Sequence, residues 1–365
     1  MKANTYNNVQ LLGLMSGTSL DGLDIARVSF DFSNSQHTEF QIINSKTFPL
    51  PQPIFEQLLH IYSCSAPQIF ELDQQIAKFY AQCVNDFITE FDIDRQDITA
   101  IAAHGQTIFH QPEKGYTTQI GCGTTLNYLT KIPVINQFRQ LDVSAGGQGA
   151  PLVPIGDQQL FSKFADGFLN LGGFANISTT KNNQALAFDI APANLPMNRW
   201  MQEIGLDYDA NGALARTGKV DQATYSKVCA EDFFKLNGPK SLGTEWLEAN
   251  YLPHFKTLNL PDRLRTHLEV LVQMSLAAFK KLDLTAIYVS GGGAHHDFLM
   301  ELLGASFAGT FIKPNAQLIN FKEALIFAYL GARFLRNEPT TLCEVTGAKE
   351  ALRTGILHDF EGRIS

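Results

Sequence analysis

Between two apolar runs lies the segment Ser16-Gly17-Thr18-Ser19-Leu20-Asp21-Gly22, with Asp24 close behind. Asp21-Gly22 alone would make an ordinary hairpin turn, but the hydroxyls and glycine before it ask for more. Glycine lets the main chain approach a ligand closely, successive amides can point at its oxygens, and serine and threonine hydroxyls add donors. That is phosphate-binding chemistry. A second glycine tip, Gly172-Gly173 in "LNLGGFANIS", also lies between strand-like runs. A third cluster, Gly291-Gly292-Gly293, follows the apolar run "AIYVS". A tight turn needs one glycine rather than three, so this loop is expected to let a base or ribose lie against bare backbone. His104, Gln106 and Thr107 give a buried strand a polar end, and Gly146, Gly147 and Gln148 form another polar, glycine-bearing stretch. Both are candidates for sugar or phosphate contact.

Other phosphate and metal signatures are missing. The nearest approach to a G-x-x-x-x-G-K-[ST] loop, "GALARTGKV", has five residues between Gly212 and Gly218 and ends on Val220 where a metal-binding hydroxyl is needed. No G-x-G-x-x-G follows the first strand, and "DIDRQD" lacks the glycine and glutamate of a calcium loop.

The elements that must position these residues alternate between strand and helix. Strands are expected at 9–15 and 23–31, joined by the Ser16–Gly22 tip, and at 39–47. Helices follow at 54–62 and 67–90, the latter with Ser65 as N-cap. The run "ITAIAAHGQTIFH" returns to strand. Strands 167–171 and 174–179 flank the second tip, and a third, 184–188, closes on Asp189 before Pro192 interrupts regular pairing. Helices at 262–281, 296–303 and 322–336, with the strand 286–290, complete an α/β chain whose two halves repeat one pattern.

With 365 residues, 45% hydrophobic and 18% charged, the chain has the composition of a globular protein large enough for two domains. Its net charge of −8 and lack of basic clusters argue against a nucleic-acid partner. No apolar run reaches membrane-spanning length, and the first strand lacks the cleavage site of a leader. Five dispersed cysteines without a Cys-x-x-Cys pair suggest neither a disulfide framework nor a zinc site, so a reducing cytoplasm is expected.

In order along the chain, the blocks "GLMSGTSLDGLD", "AAHGQTIFHQP", "GGQGAPLVP", "LNLGGFANIS", Asp189-x-x-Pro192-x-Asn194, "DYDANGALARTGKV", "YVSGGGAH", "KEALIFAYLGARFL" and "VTGA" resemble the anhydro-N-acetylmuramic acid kinases. That family is a branch of the sugar-kinase and actin-like ATPase superfamily. The resemblance implies a two-domain, ribonuclease H-like α/β fold with ATP and sugar in an interdomain cleft. Domain I would span 1–135, completed by 340–365, and domain II 136–339. The implied reaction opens 1,6-anhydro-N-acetylmuramic acid with water at the anomeric carbon and phosphorylates its 6-oxygen, giving N-acetylmuramic acid 6-phosphate in cell-wall recycling. ATP and Mg2+ are the implied cofactors and a homodimer the implied assembly. Asp189 falls at the family's catalytic base, Asp21 and Asp24 near magnesium or its waters, and Asn194 and Glu323 at the sugar. Outside the resemblance, Asp189 would read as a turn or cap residue and Glu323 as a first-turn acid complementing a helix dipole.

The chain also departs from the family. Where the family writes D-T-G-P-G-N, it has Asp189-Ile190-Ala191-Pro192-Ala193-Asn194, and Cys122, Gln137 and Asn198 replace customary aspartates, while Arg139 and Asp142 are kept. Three readings remain: the family kinase with local remodelling, a kinase for a different amino sugar, and an ATP-binding homologue with little transfer activity. The retained Asp189 argues against the third, and the first is the reading adopted.

Overall fold

The computed structural model describes residues 6–17, 20–34, 37–179, 181, 186–236 and 240–364, so Thr18 and Ser19 lie outside the described residues. The chain forms two compact units, Met1–Leu160 with Phe321–Ser365, and Phe161–Asn320.

In the first unit β1 (Asn8–Ser16), β2 (Leu23–Asp31) and β3 (Glu39–Phe48) form an antiparallel meander. β4 (Ala100–Gln111) lies parallel to β1, β5 (Tyr116–Ile120) pairs antiparallel with the far end of β4, and β6 (Val134–Asn136) adds in parallel. Reaching a parallel neighbour requires a long crossover, here the helix Ala66–Glu90. The Ser65 amide starts that helix by donating to Gln68 Oε1 at 2.8 Å. Alternation along β1 sends Leu12 and Leu14 into a core shared with Leu72, Ile76, Tyr80 and Val84 of this helix. Gly13 faces the other way, under the helix Ala316–Leu335, where any side chain would collide with the Ala324 carbonyl.

The second unit repeats the arrangement. β7 (Gly167–Leu171), β8 (Phe174–Thr179) and β9 (Leu186–Pro192) make the meander, and β10 (Ala286–Ser290) and β11 (Thr310–Ile312) add in parallel. The sheet orders are β3-β2-β1-β4-β6 and β9-β8-β7-β10-β11, and the C-terminal β12 (Ile356–His358) closes the first sheet's edge against β6. This shared order is the ribonuclease H-like pattern. The helix Leu260–Lys281, capped by Asn259 accepting the Asp262 amide at 3.0 Å, buries Leu264, Leu268 and Leu271 in the second unit's core.

Three features differ from the sequence reading. β9 does not stop at 188 but runs through Asp189 to Pro192, with Ala191 facing Ala175 and Pro192 facing Phe174 after a bulge. β9 is an edge strand, so proline costs no ladder bond on its open side, and Ile190 and Ala191 are buried. The last long helix starts at Ala316 rather than 322 and breaks at Phe321 (φ −112°, ψ 15°), so Glu323 follows a break rather than a free N-terminus. Segments 136–160 and 321–339 belong to the first unit. Arg139 and Asp142 anchor the former through His104 and Thr346, while buried Lys322 pairs with Asp157 at 2.6 Å.

Candidate active site

In the first unit, β1 and β4 bring Ser16 beside His104 and Gln106, 88 and 90 residues later. The Ser16 hydroxyl donates to Gln106 Oε1 at 2.5 Å, and the Gln106 amide returns a bond to the Gly17 carbonyl at 3.2 Å. Arg139 Nε donates to His104 Nε2 at 3.0 Å, so His104 Nδ1 carries the proton it gives to the Ser16 carbonyl at 3.2 Å. The loop's carbonyls are thus drawn inward, and Leu20, at φ +58°, closes the turn through its amide to Gly17. Burial, reinforced by the Arg139 charge, pushes the His104 imidazole down to about 3. Burial also lowers Arg139 to about 10, with Glu323 and Asp142 pulling the other way. His104 and Gln106, expected at sugar or phosphate, are buried and hold the loop. β4 continues past these residues to Gln111, so they lie within the strand and not at its end, and Thr107 accepts from Gln119 at 3.3 Å.

A second tie fixes the Gly146–Gln148 stretch. Buried Asp142 accepts from the Gly149 amide and the Thr346 hydroxyl, both at 2.8 Å, and the Gln148 amide donates to the Thr346 carbonyl at 2.7 Å. A side chain at Gly147 would collide with the Asp142 carboxylate.

The carboxylate of Asp21 bears on Asp24, and both bear on Glu323. Asp24 accepts from Thr47 at 2.5 Å, and burial raises its carboxyl despite that bond, with Asp21 adding to the rise. Glu323 is exposed, yet the protein around it desolvates its carboxyl in part. That desolvation raises its carboxyl, opposed by Arg139 and Lys322 and assisted by Asp24 and Asp21. No cluster of three or more His, Cys, Asp or Glu side chains able to hold a metal forms among the described residues.

In the second unit, the Gly172–Gly173 tip and the Gly291–Gly293 loop meet the glycine-free segment that ends β9. The Ala193 and Leu195 amides donate to the Gly173 carbonyl and the Asn194 amide to that of Gly172. Asn194 Nδ2 donates to the Leu171 carbonyl at 2.9 Å, while its Oδ1 lies 3.0 Å from where a Gly293 side chain would begin. Asn194 therefore bonds its own segment to the end of β7 and lies close against Gly293. Asp189, half-buried on β9, accepts the Leu242 amide at 2.7 Å, and its own amide donates to the Lys240 carbonyl. Burial raises the Asp189 carboxyl, only partly offset by the Leu242 bond.

The glycines divide into two kinds. Gly291 sits at φ +82° with Asn170 Oδ1 2.6 Å from any added carbon, so its own fold demands glycine. Gly172, Gly173 and Gly292 have no positive φ, and an added carbon would meet nothing closer than 3.4, 3.6 and 3.6 Å. Neither backbone nor packing requires glycine there. A bare cradle fits a ligand pressed against the main chain, as the phosphates and ribose of a nucleotide would be.

Sequence comparison supplies the family. The chain matches the anhydro-N-acetylmuramic acid kinase profile over residues 9–359. It is 37% identical over 366 residues to the anhydro-N-acetylmuramic acid kinase of Hahella chejuensis, covering 95% of this chain and 97% of that one. The chain belongs to the anhydro-N-acetylmuramic acid kinase family. The kinase of that name from Shewanella baltica is 37% identical, with 95% and 98% covered, and that from Haemophilus influenzae 35%, with 95% and 97% covered.

Against the family pattern, the replacements at Ile190, Ala191 and Ala193 lie in the second unit's core, all at most 3% exposed. Cys122 stands at the N-cap of the helix Gly123–Thr130, Gln137 adopts φ +60° and donates to the Gln119 carbonyl at 3.2 Å, and Asn198 lies on the helix Asn194–Gln202.

Two neutral histidines in the interior of this anhydro-N-acetylmuramic acid kinase family member carry a pH consequence. Burial pushes His267 down to about 4, as it pushes His104 to about 3. Both folded values lie below the unfolded one, so the unfolded chain takes up protons first and stability falls as pH drops below about 6.5. Each histidine should cost about 2 kcal/mol at pH 5. The raised carboxyls of Asp24, Asp189 and Glu323 act in the opposite sense at lower pH. Urea titrations at pH 7 and pH 5 should show the loss, and His267→Leu should abolish its share of the pH dependence.

Proposed function

We propose that this chain performs the family reaction with Asp189 as general base. The chain is a sugar kinase: it opens 1,6-anhydro-N-acetylmuramic acid with water and phosphorylates the 6-oxygen, yielding N-acetylmuramic acid 6-phosphate. The observation that carries the assignment of Asp189 is its position, held by one backbone bond with its carboxyl raised by burial. A carboxylate whose affinity for protons is raised toward the working pH is a better base than an exposed one. Asp189 takes a proton from water, water oxygen bonds to the anomeric carbon, and the bond from that carbon to the 6-oxygen breaks with its electron pair left on the 6-oxygen, which bonds to the γ-phosphorus as the bond to the departing ADP breaks.

ATP with Mg2+ supplies the phosphoryl group and neutralises its charge when bound. Ser16, Gly17, Thr18, Ser19, Leu20, Asp21 and Gly22 would hold its phosphates, and Gly172, Gly173, Gly291, Gly292 and Gly293 would lie against phosphate and ribose. Asp21 and Asp24 would face the metal or its waters, a reading supported by the Asp21 charge acting on Asp24 and by their oxygen chemistry. Thr107, Gly147, Gln148 and Glu323 are assigned to the sugar. His104, Gln106 and Asn194 support that site by shaping its loops. The assembly is assigned as a homodimer and the compartment as the cytoplasm. Exposed Ile204, Leu206 and Tyr208, just after the helix Asn194–Gln202, supply apolar surface for a second copy; the dispersed cysteines fit a reducing compartment.

Phosphotransfer tests the reading. Purified enzyme with ATP and magnesium should convert the anhydro sugar to a product heavier by one phosphoryl group and one water. Conversion only of amino sugars with a free 6-hydroxyl would instead establish the different-sugar kinase, and nucleotide binding without conversion of any sugar the inactive homologue.

A further inference from the structure

Behind Ala193, on the helix Leu260–Lys281, His267 is fully buried with Nε2 2.9 Å from the Ala193 carbonyl oxygen. Its Nδ1 lies 2.8 Å from the hydroxyl of Tyr251, another fully buried residue. A carbonyl can only accept, so Nε2 must carry the proton, Nδ1 must accept, and the Tyr251 hydroxyl must donate. One neutral tautomer satisfies all three groups. The rings of Trp200 and Tyr251 both meet the imidazole edge to face, with centroids 5.8 and 5.7 Å away, which fixes its plane.

The carbonyl it grips stands where the segment turns from strand to helix. Ala193 is wholly buried, its amide is tied to the Gly173 carbonyl at 2.9 Å, and the next amide is tied to Gly172 at 3.0 Å. The Asp189–Asn194 segment is therefore fastened on one side to the glycine tip and on the other to His267. We infer that His267, kept in its Nε2–H form by Tyr251, is a positioning residue that sets the Asp189–Asn194 segment in register with the Gly172–Gly173 tip. It acts through the Ala193 carbonyl, and the inference rests on Asp189 being the base. Misplacing a reacting group by about 1 Å costs on the order of a hundredfold in rate, so a loosened segment should lower turnover more than affinity.

His267→Asn, His267→Gln and Tyr251→Phe separate this role from simple packing. Glutamine's amide reaches the Nε2 position and keeps the donor to Ala193, whereas asparagine reaches only the Nδ1 position and leaves that carbonyl unpaired. His267→Asn should lower kcat by about tenfold to a hundredfold, with KM for ATP within about twofold of wild type, and His267→Gln should restore most of the loss. Tyr251→Phe keeps the ring and the packing, and remains informative if the histidine variants do not fold. It should lower kcat by about threefold to tenfold, and nitrogen-15 NMR should show His267 passing from one tautomer to a mixture. Wild-type kcat per folded molecule in His267→Asn, equal losses in the Asn and Gln variants, or Tyr251→Phe with unchanged kcat despite mixed tautomers would each overturn the inference. Asp189→Asn is run in parallel. Full activity there defeats the base assignment, whereas an inactive Asp189→Asn beside a fully active His267→Asn defeats only the positioning role.

Discussion

Asp189→Asn should lower turnover by about two to four decades, the usual worth of a positioned general base, while leaving the fold as stable as before or slightly more so. The Leu242 amide donates to Asp189 Oδ2 at 2.7 Å, and an asparagine carbonyl oxygen can accept the same bond. The strand pairing of residue 189 with Asn176 is made by backbone alone. Burial works against the charged carboxylate, as its raised carboxyl indicates, so a neutral amide of nearly equal volume removes a desolvation penalty. Stability and activity should therefore move apart, as expected where a buried charge is kept for chemistry. ATP affinity should barely change. Turnover and thermal melting measured on one preparation check this, and a variant with lowered melting temperature and normal turnover would make Asp189 a structural residue of β9.

Gly173→Val should reduce ATP affinity on the order of a hundredfold, about 2.7 kcal/mol, with little change in folding stability. Residue 173 is exposed, its φ is not positive, and the nearest atom to an added carbon is Leu195 Cβ at 3.6 Å. That is ordinary van der Waals contact, so the protein accommodates a β-carbon there. Bare backbone there fits a ligand that approaches from outside, and branched methyls at a nucleotide's phosphates would exclude it. Calorimetric ATP titration checks the affinity and thermal melting the fold. Normal binding would reduce the tip to a turn, whereas a large loss of stability would show that packing requires the glycine.

The sequence carried the strands well because their patterns are local. Runs 167–171, 174–179 and 286–290 appear in the structure with those ends, since glycine tips and apolar alternation punctuate both sides. β9 was harder to read: Pro192 signals a break, and only its place at a sheet edge, a fact of topology, makes it tolerable. The helix break at Phe321 leaves no proline or glycine to announce it. The site divides similarly. Ser16–Gly22 and Gly291–Gly293 stand out because glycine clusters are conspicuous by composition, whereas the groups that hold them are ordinary residues distant in sequence. Arg139 and His104 are 35 residues apart, and His267 and Ala193 74 apart. His267 is one residue within the expected helix 262–281. No spacing rule links it to Ala193, and only the packing of the helix Leu260–Lys281 against β9 brings them together.

The central claim is that water opens the anhydro ring as the 6-oxygen is phosphorylated. Running the wild-type reaction in oxygen-18 water, quenching it early and weighing the product tests this directly, with exchange at the anomeric carbon timed on unlabelled product and subtracted. Hydrolytic opening with Asp189 as base places one water-derived oxygen on the sugar and none in the transferred phosphoryl group. An active enzyme whose immediate product carries no label in the sugar would contradict the account.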